Sequence, residues 1–302
     1  MDAIIYKYHI KDRKHYSESF SDTDLLDYDA ILINDIPAEK RNDILKICFA
    51  HNKRVYFVPK ISDILIKNSD DLNVLDTPLY LCRNRGTSSI NLLIKRAFDI
   101  CASLLGLLIC LPIFVITAIA IKSEDKGPVF FTQERCTVGG NKFNIIKFRS
   151  MVVDAEKDGR SHPAGENDDR ITRVGKVIRS TRIDELPQLI NILKGDMSIV
   201  GPRPERTEHV LAYSEEIPEF LFRNKAKGGL TGIAQVYGKY NTSALDKLKM
   251  DLIYITSFSL LLDFKIMLET LKIVFQKEST EGFDPRKAAE LHDFGSTKNK
   301  DA

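Results

Sequence analysis

Two adjacent carboxylates, Asp184 and Glu185, are the residues whose types and spacing first suggest chemistry. They stand in the segment RSTRIDELPQLINILKGDMSIVGPRP, residues 179–204. Neighbouring residues on a helix point about 100° apart, so these carboxylates cannot act on one atom in the same way. One could face a substrate while the other faces a metal ion. The structural alternative is that ionised carboxylates simply favour the N-terminus of a helix.

Arginines surround this pair in the sequence and favour the chemical interpretation: Arg179, Arg182, Arg203 and Arg206. Guanidinium groups bind phosphate through two parallel hydrogen bonds. Arg203 lies between two prolines, which restrict the backbone and so fix where its side chain points. Because carboxylates and phosphate oxygens are the usual ligands of Mg²⁺, the segment predicts a phosphorylated substrate together with a divalent cation.

A helix and a strand are expected to position these groups. Apolar residues at helical spacing predict a helix that begins at about Asp184, with Pro187 in its first turn and Gly195 as its stop. These apolar residues are Leu186, Leu189, Ile190 and Leu193. The segment NKFNIIKFRSM (141–151) predicts a strand whose period of two places Lys147 and Arg149 on one face. That face suits an anion site, and a solvated edge strand explains it equally well.

A long apolar segment, Ile100–Ile121, contains no charged side chain and exceeds the roughly 18 apolar residues that indicate a membrane helix. A buried helix of a soluble protein is the alternative. Basic residues flank both ends, which conflicts with a simple crossing of the bilayer. Pro112 removes one helical hydrogen bond and favours a kink. We therefore predict a helix-break-helix that enters and leaves the membrane on the same face, with Pro112 at the break.

The two ends of the chain indicate accessory elements. Strand-like segments 30–35 and 54–59 with a helical segment 38–50 between them predict a parallel βαβ unit, and no glycine-rich dinucleotide motif follows either strand. Residues 152–170 predict a polar loop. Near the C-terminus, 263–277 predicts an amphipathic helix that either packs on the core or lies in a membrane interface.

Composition narrows the class of protein. The chain has 302 residues, 28% of them charged, and a formal net charge of only +2. This near-neutral balance argues against a nucleic-acid-binding protein, since any basic patch must be local. The five cysteines form no CxxC pair, which is typical of isolated thiols rather than of a zinc site.

From about Lys95 to Phe275 the chain resembles the bacterial monotopic phosphoglycosyl transferases, which are polyprenyl-phosphate sugar-1-phosphate transferases. Six segments carry the resemblance in the family's order: KRAFDI (95–100), GPVFFTQER (127–135), KFRSM (147–151), RIDELPQLINILKGDMSIVGPRPE (182–205), GLTGIAQV (229–236) and LLLDFKIMLETLKIV (260–274). Two positions depart from the family pattern. Lys227-Gly228-Gly229 stands where a Pro-Gly turn is common, and Asp169 replaces a frequent proline.

The resemblance implies a two-step reaction at the cytoplasmic face of the bacterial inner membrane. Asp184 would attack the β-phosphorus of a UDP-sugar, release UMP and form a covalent sugar-phosphoryl enzyme. The phosphate of a membrane polyprenol (undecaprenyl phosphate) would then accept the sugar-phosphate, which begins exopolysaccharide, capsule or O-antigen-type glycans. Glu185 would hold Mg²⁺ together with Asp184, and as a second catalytic residue it would handle the proton of the acceptor. The residues at family positions that contact phosphate are Lys147, Arg179 and Arg203.

The expected fold is an α+β, α-rich, membrane-associated catalytic domain with the re-entrant segment at about 98–122, preceded by a small α/β domain that resembles a truncated Rossmann-like unit. The expected boundaries are 1–88 for the accessory domain, 89–276 for the transferase domain and 277–302 for a polar tail. A catalytically silent membrane scaffold is the main rival. The transferred sugar stays open, as does the oligomeric state, a homodimer included.

Overall fold

The computed structural model describes residues 12, 25–74, 77–82, 88–155, 168–238 and 242–274. The predicted polar tail and most of the predicted polar loop lie outside the described residues. The chain divides into two compact units, Met1–Lys60 and Ile61–Ala302. The domain boundary at residues 88 and 89 stays a prediction.

The first unit contains the predicted βαβ arrangement. Strand β1 (Ala30–Ile33) and strand β2 (Arg54–Phe57) pair in parallel, and helix α1 (Ala38–Ala50) connects them. Apolar side chains of β1, of α1 and of the segment before β1 form a small core: Leu25, Ile33, Ile44 and Cys48. The parallel βαβ prediction is confirmed, while the likeness to a Rossmann fold stays a prediction because two strands do not define that sheet.

Helices dominate the second unit, and each of its sheets among the described residues has two strands. The antiparallel pairs are β3 (Asp70–Val74) with β4 (Thr77–Leu81) and β5 (Phe130–Cys136) with β6 (Lys142–Phe148); β7 (Ser198–Val200) and β8 (Gly229–Thr231) are parallel. The helices are α2 (Ile61–Lys67), α3 (Ser89–Glu124), α4 (Arg173–Ser180), α5 (Gln188–Lys194), α6 (Thr207–Glu216), α7 (Ile233–Tyr237), α8 (Ala244–Thr256) and α9 (Leu260–Val274). The strand predicted around Lys147 is confirmed as β6.

Helix α3 contains the long apolar segment. It is the one helix among the described residues that is long and apolar enough to cross a membrane, and only 11% of its most apolar window is buried. That exposure argues against the buried soluble helix. The helix continues through Pro112 from Ser89 to Glu124, so the proline does not divide it into two helices. Its re-entrant course in a bilayer stays a prediction.

The segment that carries the two acids runs antiparallel along one side of α3. Ile178 of α4 packs with Ile121 and Phe114 near the C-terminal end of α3. Further back along α3, a Cβ on Gly106 would lie 3.1 Å from the Cδ1 atom of Leu189 in α5. The acids therefore lie on a strip of protein that accompanies the apolar helix.

Helix α9 has two different faces. Asp263 and Ile266 are buried against the rest of the unit, whereas Leu261, Phe264 and Leu271 are more than half exposed. The helix predicted over 263–277 is observed over Leu260–Val274, and the last three predicted positions lie outside the described residues. It both packs on the core and presents an apolar outer face.

Candidate active site

Asp184 and Glu185 lie in a 3-10 turn, Ile183–Glu185, between α4 and α5. The prediction that an α-helix begins at Asp184 was wrong, because α5 begins only at Gln188. The backbone N–H of Glu185 donates to the carbonyl of Arg182 at 3.1 Å, three residues back. Pro187 has no N–H with which to continue an α-helical ladder upstream. The predicted stop is confirmed, since Gly195 ends α5 with φ 96°.

Arg182, the residue before this turn, adopts a left-handed backbone conformation with φ 56°. This conformation is uncommon for a residue with a side chain, and it persists where the surrounding structure enforces it. It stands directly before Ile183, so this residue separates the end of α4 from the turn that carries the two acids. The two carboxylates therefore lie in a turn whose backbone conformation is fixed by the surrounding structure.

Glu185 is the centre of a partly buried charge cluster. Its Oε1 atom accepts a hydrogen bond from Lys147 Nζ at 3.1 Å and another, very short, from Arg203 Nη2. Burial alone would raise the pKa of the Glu185 carboxyl, but the charges of Arg203 and Lys147 outweigh it and hold that pKa far below its usual range. Glu185 therefore stays ionised, and two predicted phosphate-binding residues meet at one oxygen.

Asp184 has a different environment from its neighbour. Burial, and next the negative charge of Glu185, raise the pKa of the Asp184 carboxyl to about 6. Arg179 in the last turn of α4 opposes this shift through its charge. Within the described ranges, neither an ion pair nor a hydrogen bond joins Arg179 to the acids. The structure thus distinguishes Glu185, a carboxylate that two cations hold ionised, from Asp184, a carboxyl whose pKa is raised.

Helix α5 also fixes the strand that carries Lys147. The side-chain amide of Asn191 accepts from the backbone N–H of Ile146 at 2.9 Å and donates to the carbonyl of Asn144 at 2.8 Å. The buried face of α5 is accordingly Gln188, Asn191 and Ile192. The face with Leu186, Leu189, Ile190 and Leu193 is only half-buried. On the leucine-rich side, Leu189 packs against the apolar cluster of Ile145, Ile192 and Met197 and also lies beside Gly106 of α3.

Arg149 does not join the site, although it shares the predicted face with Lys147. Its side chain is buried and lies 3.3 Å from the Asp125 carboxylate that follows α3. A Cβ on Gly127 would overlap its guanidinium, at 1.8 Å from Nη1. Arg149 therefore fastens the chain after the apolar helix and leaves Lys147 as the strand's contribution.

Two arginines that the sequence analysis missed support Arg203 from behind. Arg223 donates from Nη2 to the Arg203 carbonyl at 2.6 Å, and Arg135 donates from Nη1 to the Pro204 carbonyl at 3.3 Å. The same Nη2 of Arg223 lies 2.9 Å from a carboxylate oxygen of buried Asp251. The sequence pointed to them only by position: Arg135 ends the family segment 127–135, and Arg223 precedes the family segment 229–236. Together they fix the backbone from which Arg203 extends.

The segment Lys227-Gly228-Gly229, which departs from the family pattern, packs closely against the backbone that leads to Arg203. The N–H of Gly229 donates to the Pro202 carbonyl at 2.8 Å, and the Gly228 carbonyl accepts from Ser198. A Cβ on Gly229 would lie only 2.1 Å from the Gly201 nitrogen. Close approach of two backbones, rather than a special turn conformation, explains the glycine here.

We expect Gly229→Ala to destabilise the fold by about 3 kcal/mol, because the added methyl must push β8 away from the backbone before Arg203. Thermal unfolding would measure the loss of stability, and an activity assay would show whether the backbone before Arg203 has moved. Gly140→Ala is the control, since its Cβ would meet nothing within 4 Å and only its positive φ is affected; we expect about 1 kcal/mol there. Full activity and stability in Gly229→Ala would contradict the role of this junction.

The donor set of the site fits Mg²⁺ when a phosphorylated substrate is bound. No group of three or more histidine, cysteine, aspartate or glutamate side chains in the described part of the chain could hold a metal by itself. Two carboxylates, Asp184 and Glu185, stand side by side, and Mg²⁺ in proteins is commonly held by one or two carboxylates with substrate phosphate oxygens. The residues present therefore suit a metal that arrives with its substrate.

Comparison with known proteins agrees with this arrangement. Residues 90–277 match the bacterial sugar transferase family. The chain is 37% identical over 262 residues to the UDP-N-acetylgalactosamine-undecaprenyl-phosphate N-acetylgalactosaminephosphotransferase of Aeromonas hydrophila, covering 82% of this chain and 59% of that protein. It is 36% identical over 280 residues to the UDP-glucose:undecaprenyl-phosphate glucose-1-phosphate transferase of Klebsiella pneumoniae, covering 85% and 60%.

A relative of the same name from Caulobacter vibrioides is 44% identical over 183 residues, covering 59% of this chain and 68% of that protein. The chain spans about three fifths of the length of the Aeromonas and Klebsiella relatives. The matched region includes Asp184, Glu185, Lys147 and Arg203. The chain belongs to the bacterial sugar transferase family.

Proposed function

We propose that this protein transfers a sugar-1-phosphate from a UDP-sugar to a membrane polyprenyl phosphate such as undecaprenyl phosphate. The observation that carries the proposal is the pairing of a reactive carboxylate with a clamped one: Asp184 stands beside Glu185, on which Lys147 and Arg203 converge. The names of the relatives support a UDP-sugar and undecaprenyl phosphate as substrates. Those names contain both N-acetylgalactosamine and glucose, so the sugar stays open.

In the first step a carboxylate oxygen of Asp184 attacks the β-phosphorus of the UDP-sugar. The new P–O bond forms as the bond to the α-phosphate oxygen breaks, and UMP departs with that electron pair. In the second step a phosphate oxygen of the polyprenyl phosphate attacks the same phosphorus and releases the Asp184 carboxylate. A carboxylate is a competent covalent catalyst when its position is fixed and its leaving group is good.

Charge is the main obstacle to the first step. Two like charges at about 4 Å and an effective dielectric constant near 20 repel each other by about 4 kcal/mol. Lys147 and Arg203 lie next to the dyad and would bind the diphosphate oxygens, which lowers this repulsion and stabilises the departing UMP. Arg179 would approach the phosphates from the end of α4. Glu185 already neutralises part of the positive charge of Lys147 and Arg203. A phosphate that binds here would therefore compete with Glu185 for these two side chains.

Asp184 and Glu185 would hold Mg²⁺ together with the phosphates. The ion would supply positive charge that shields the diphosphate from the attacking carboxylate. Glu185 suits this role because Lys147 and Arg203 keep its carboxyl ionised. One carboxylate oxygen of Asp184 would remain available to attack the β-phosphorus.

The course of the catalytic strip supports attachment to one face of the membrane. Segments that contain Asp184 and Glu185 accompany α3 along its length, and ionised carboxylates are very costly in hydrocarbon. A helix with such a strip along one side fits a position at the membrane surface better than a crossing. The exposed apolar faces of α3 and α9 would enter the lipid, and the site would meet the phosphate of the polyprenol at the cytoplasmic face of the bacterial inner membrane.

Intact-protein mass spectrometry tests the proposal directly. The enzyme is mixed in lipid nanodiscs with Mg²⁺ and a panel of UDP-sugars, without polyprenyl phosphate. We expect a mass increase of one sugar-phosphate for the correct donor, with release of UMP and no adduct in Asp184→Asn. The absence of both adduct and UMP with every UDP-sugar would favour the scaffold alternative.

The pH dependence of the first step should report the environment of Asp184. Since its pKa is raised to about 6, the reactive carboxylate is lost below that pH. We expect kcat/KM for the UDP-sugar to fall about tenfold for each pH unit below 6, because this constant reports groups of the free enzyme. If kcat/KM instead begins to fall only at about pH 4, the ordinary range of an exposed aspartate, the assignment of Asp184 as the nucleophile would be contradicted.

A further inference from the structure

Both ends of the apolar helix α3 are tied to the helices that flank the catalytic turn. At its C-terminal end, the Glu124 carboxylate accepts hydrogen bonds from the backbone N–H groups of Arg173 at 2.7 Å and Val174 at 3.0 Å. These are the first two residues of α4. Together with Thr172, whose hydroxyl accepts from Gly175, Glu124 satisfies the free N–H groups at the start of α4.

At the other end of α3, Arg96 binds the last turn of α5. Its Nη1 donates to the Ile192 carbonyl at 2.5 Å and its Nη2 to the Leu193 carbonyl at 2.7 Å. The carbonyls of a last helical turn have no partners within their own helix, and a cation there is favoured by the helix dipole. The guanidinium fork matches two neighbouring carbonyls in a way that a single ammonium group cannot.

The signs of these two contacts are matched to the helix ends that they meet. A carboxylate holds the positive N-terminal end of α4, and a guanidinium holds the negative C-terminal end of α5. The turn with Asp184 and Glu185 lies between the two helices, so both of its supports are fastened to one rigid element. Neither contact touches the charge cluster itself, and both residues lie in the apolar helix or at its edge.

We propose that Glu124 and Arg96 are positioning residues that hold the catalytic turn from the two ends of α3. They act through α4 and α5 rather than on the substrate. The consequence is that the orientation of Asp184 depends on the membrane helix, so the enzyme's chemistry is coupled to how α3 sits in lipid. The effect on catalysis rests on the proposed function, whereas the effect on the turn does not.

Neighbouring contacts favour this interpretation. Asp99, one turn after Arg96, accepts from the backbone N–H of Ile199 at 3.0 Å. Lys95 donates to the Val200 carbonyl at 3.0 Å and pairs with Asp263. These contacts hold β7, which leads directly to Arg203. The start of α3 therefore supports the arginine side of the site as well as the carboxylate side.

Amide hydrogen exchange in lipid nanodiscs, without substrate, tests the clamp independently of activity. In Glu124→Ala we expect exchange to accelerate about fivefold at Arg173 and Val174, the effect of a lost helix cap. The decisive observation is that exchange also accelerates at Glu185 and Leu186 in the turn. Glu124→Gln, which keeps an acceptor oxygen, should show a smaller effect, and Arg96→Lys should accelerate exchange at the turn from the other side.

Glu215→Gln on the exposed face of α6 and Arg54→Lys on β2 are the matched controls, and both should leave the turn unchanged. Faster exchange confined to Arg173 and Val174 would overturn the proposal, because the cap would then be local. With the correct UDP-sugar, adduct formation in Glu124→Ala should slow about tenfold while KM changes less than twofold. If the wild-type enzyme forms no adduct, the proposed function fails, and the exchange result still decides the clamp.

Discussion

Asp184→Asn is expected to abolish sugar-phosphate transfer and to make the folded protein more stable. Activity should fall about 10⁴-fold or more, because an amide cannot form the covalent intermediate. The folded state raises the pKa of Asp184 to about 6, so at pH 7 the ionised carboxylate is disfavoured there relative to the unfolded chain. Removing that charge should stabilise the fold by about 2 kcal/mol.

Thermal unfolding at pH 7 and at pH 5 would test the stability effect. The gain should be largest above pH 6 and should shrink as the pH falls below 6, because the wild-type carboxyl then becomes protonated in the folded state. Flotation with lipid vesicles should be unchanged, which excludes loss of membrane association as the cause of inactivity. An Asp184→Asn enzyme with normal turnover would remove Asp184 from its role as nucleophile.

Glu185→Gln is expected to inactivate the enzyme and, in contrast, to destabilise it. Lys147 and Arg203 would lose the anion on which both converge. Breaking a buried ion pair by removing one partner costs about 3–5 kcal/mol. The lower end applies here, because the Arg203 side chain is 37% exposed and water can replace part of the interaction. Unfolding at pH 7 should therefore show a loss of about 3 kcal/mol.

Glu208→Gln provides the matched control for this loss. Glu208 pairs with Arg206 at 3.2 Å, but its side chain is 55% exposed, so its removal should change stability by less than about 1 kcal/mol. The Glu185 carboxyl has a lowered pKa, so its contribution is present above its ordinary pKa of 4.5 and is lost as the pH falls below that value. A Glu185→Gln protein as stable as wild type at pH 7 would show that the cluster is not a stabilising one.

The sequence was informative where local rules decide the structure. Apolar spacing, β-strand alternation and the stop at Gly195 predicted α1, β6 and the end of α5 because those elements follow their own residues. The apolar segment predicted α3. The resemblance to the family predicted that Lys147 and Arg203 belong to the same site as Asp184 and Glu185. These side chains come from segments up to 56 residues apart, and no local pattern could have placed them at one oxygen.

What the sequence could not predict depends on tertiary contacts. The left-handed backbone of Arg182 is imposed from outside, since nothing in an arginine favours it. Apolar spacing in α5 pointed to Leu186, Leu189, Ile190 and Leu193, whereas its fully buried residues are Gln188, Asn191 and Ile192, because Asn191 bonds to the backbone of β6. Arg149 lies on the same strand face as Lys147, but its side chain pairs with Asp125 and not with the acids of the site. The supports of Arg203 and of the turn are charged residues whose partners are backbone carbonyls and N–H groups, which leave no pattern in the sequence.

The antiparallel course of the catalytic strip along α3 has a consequence for biosynthesis. Helix α3 ends at Glu124 and α4 begins at Arg173, so the ribosome completes the apolar helix well before it makes its partner. At about 5–20 residues per second, this interval lasts on the order of 2–10 s. During that time the side of α3 that later packs on α4 and α5 lacks both of these helices. Helix α3 is therefore complete before the segment with Asp184 and Glu185 is made, and the candidate site can assemble only along a helix that already exists.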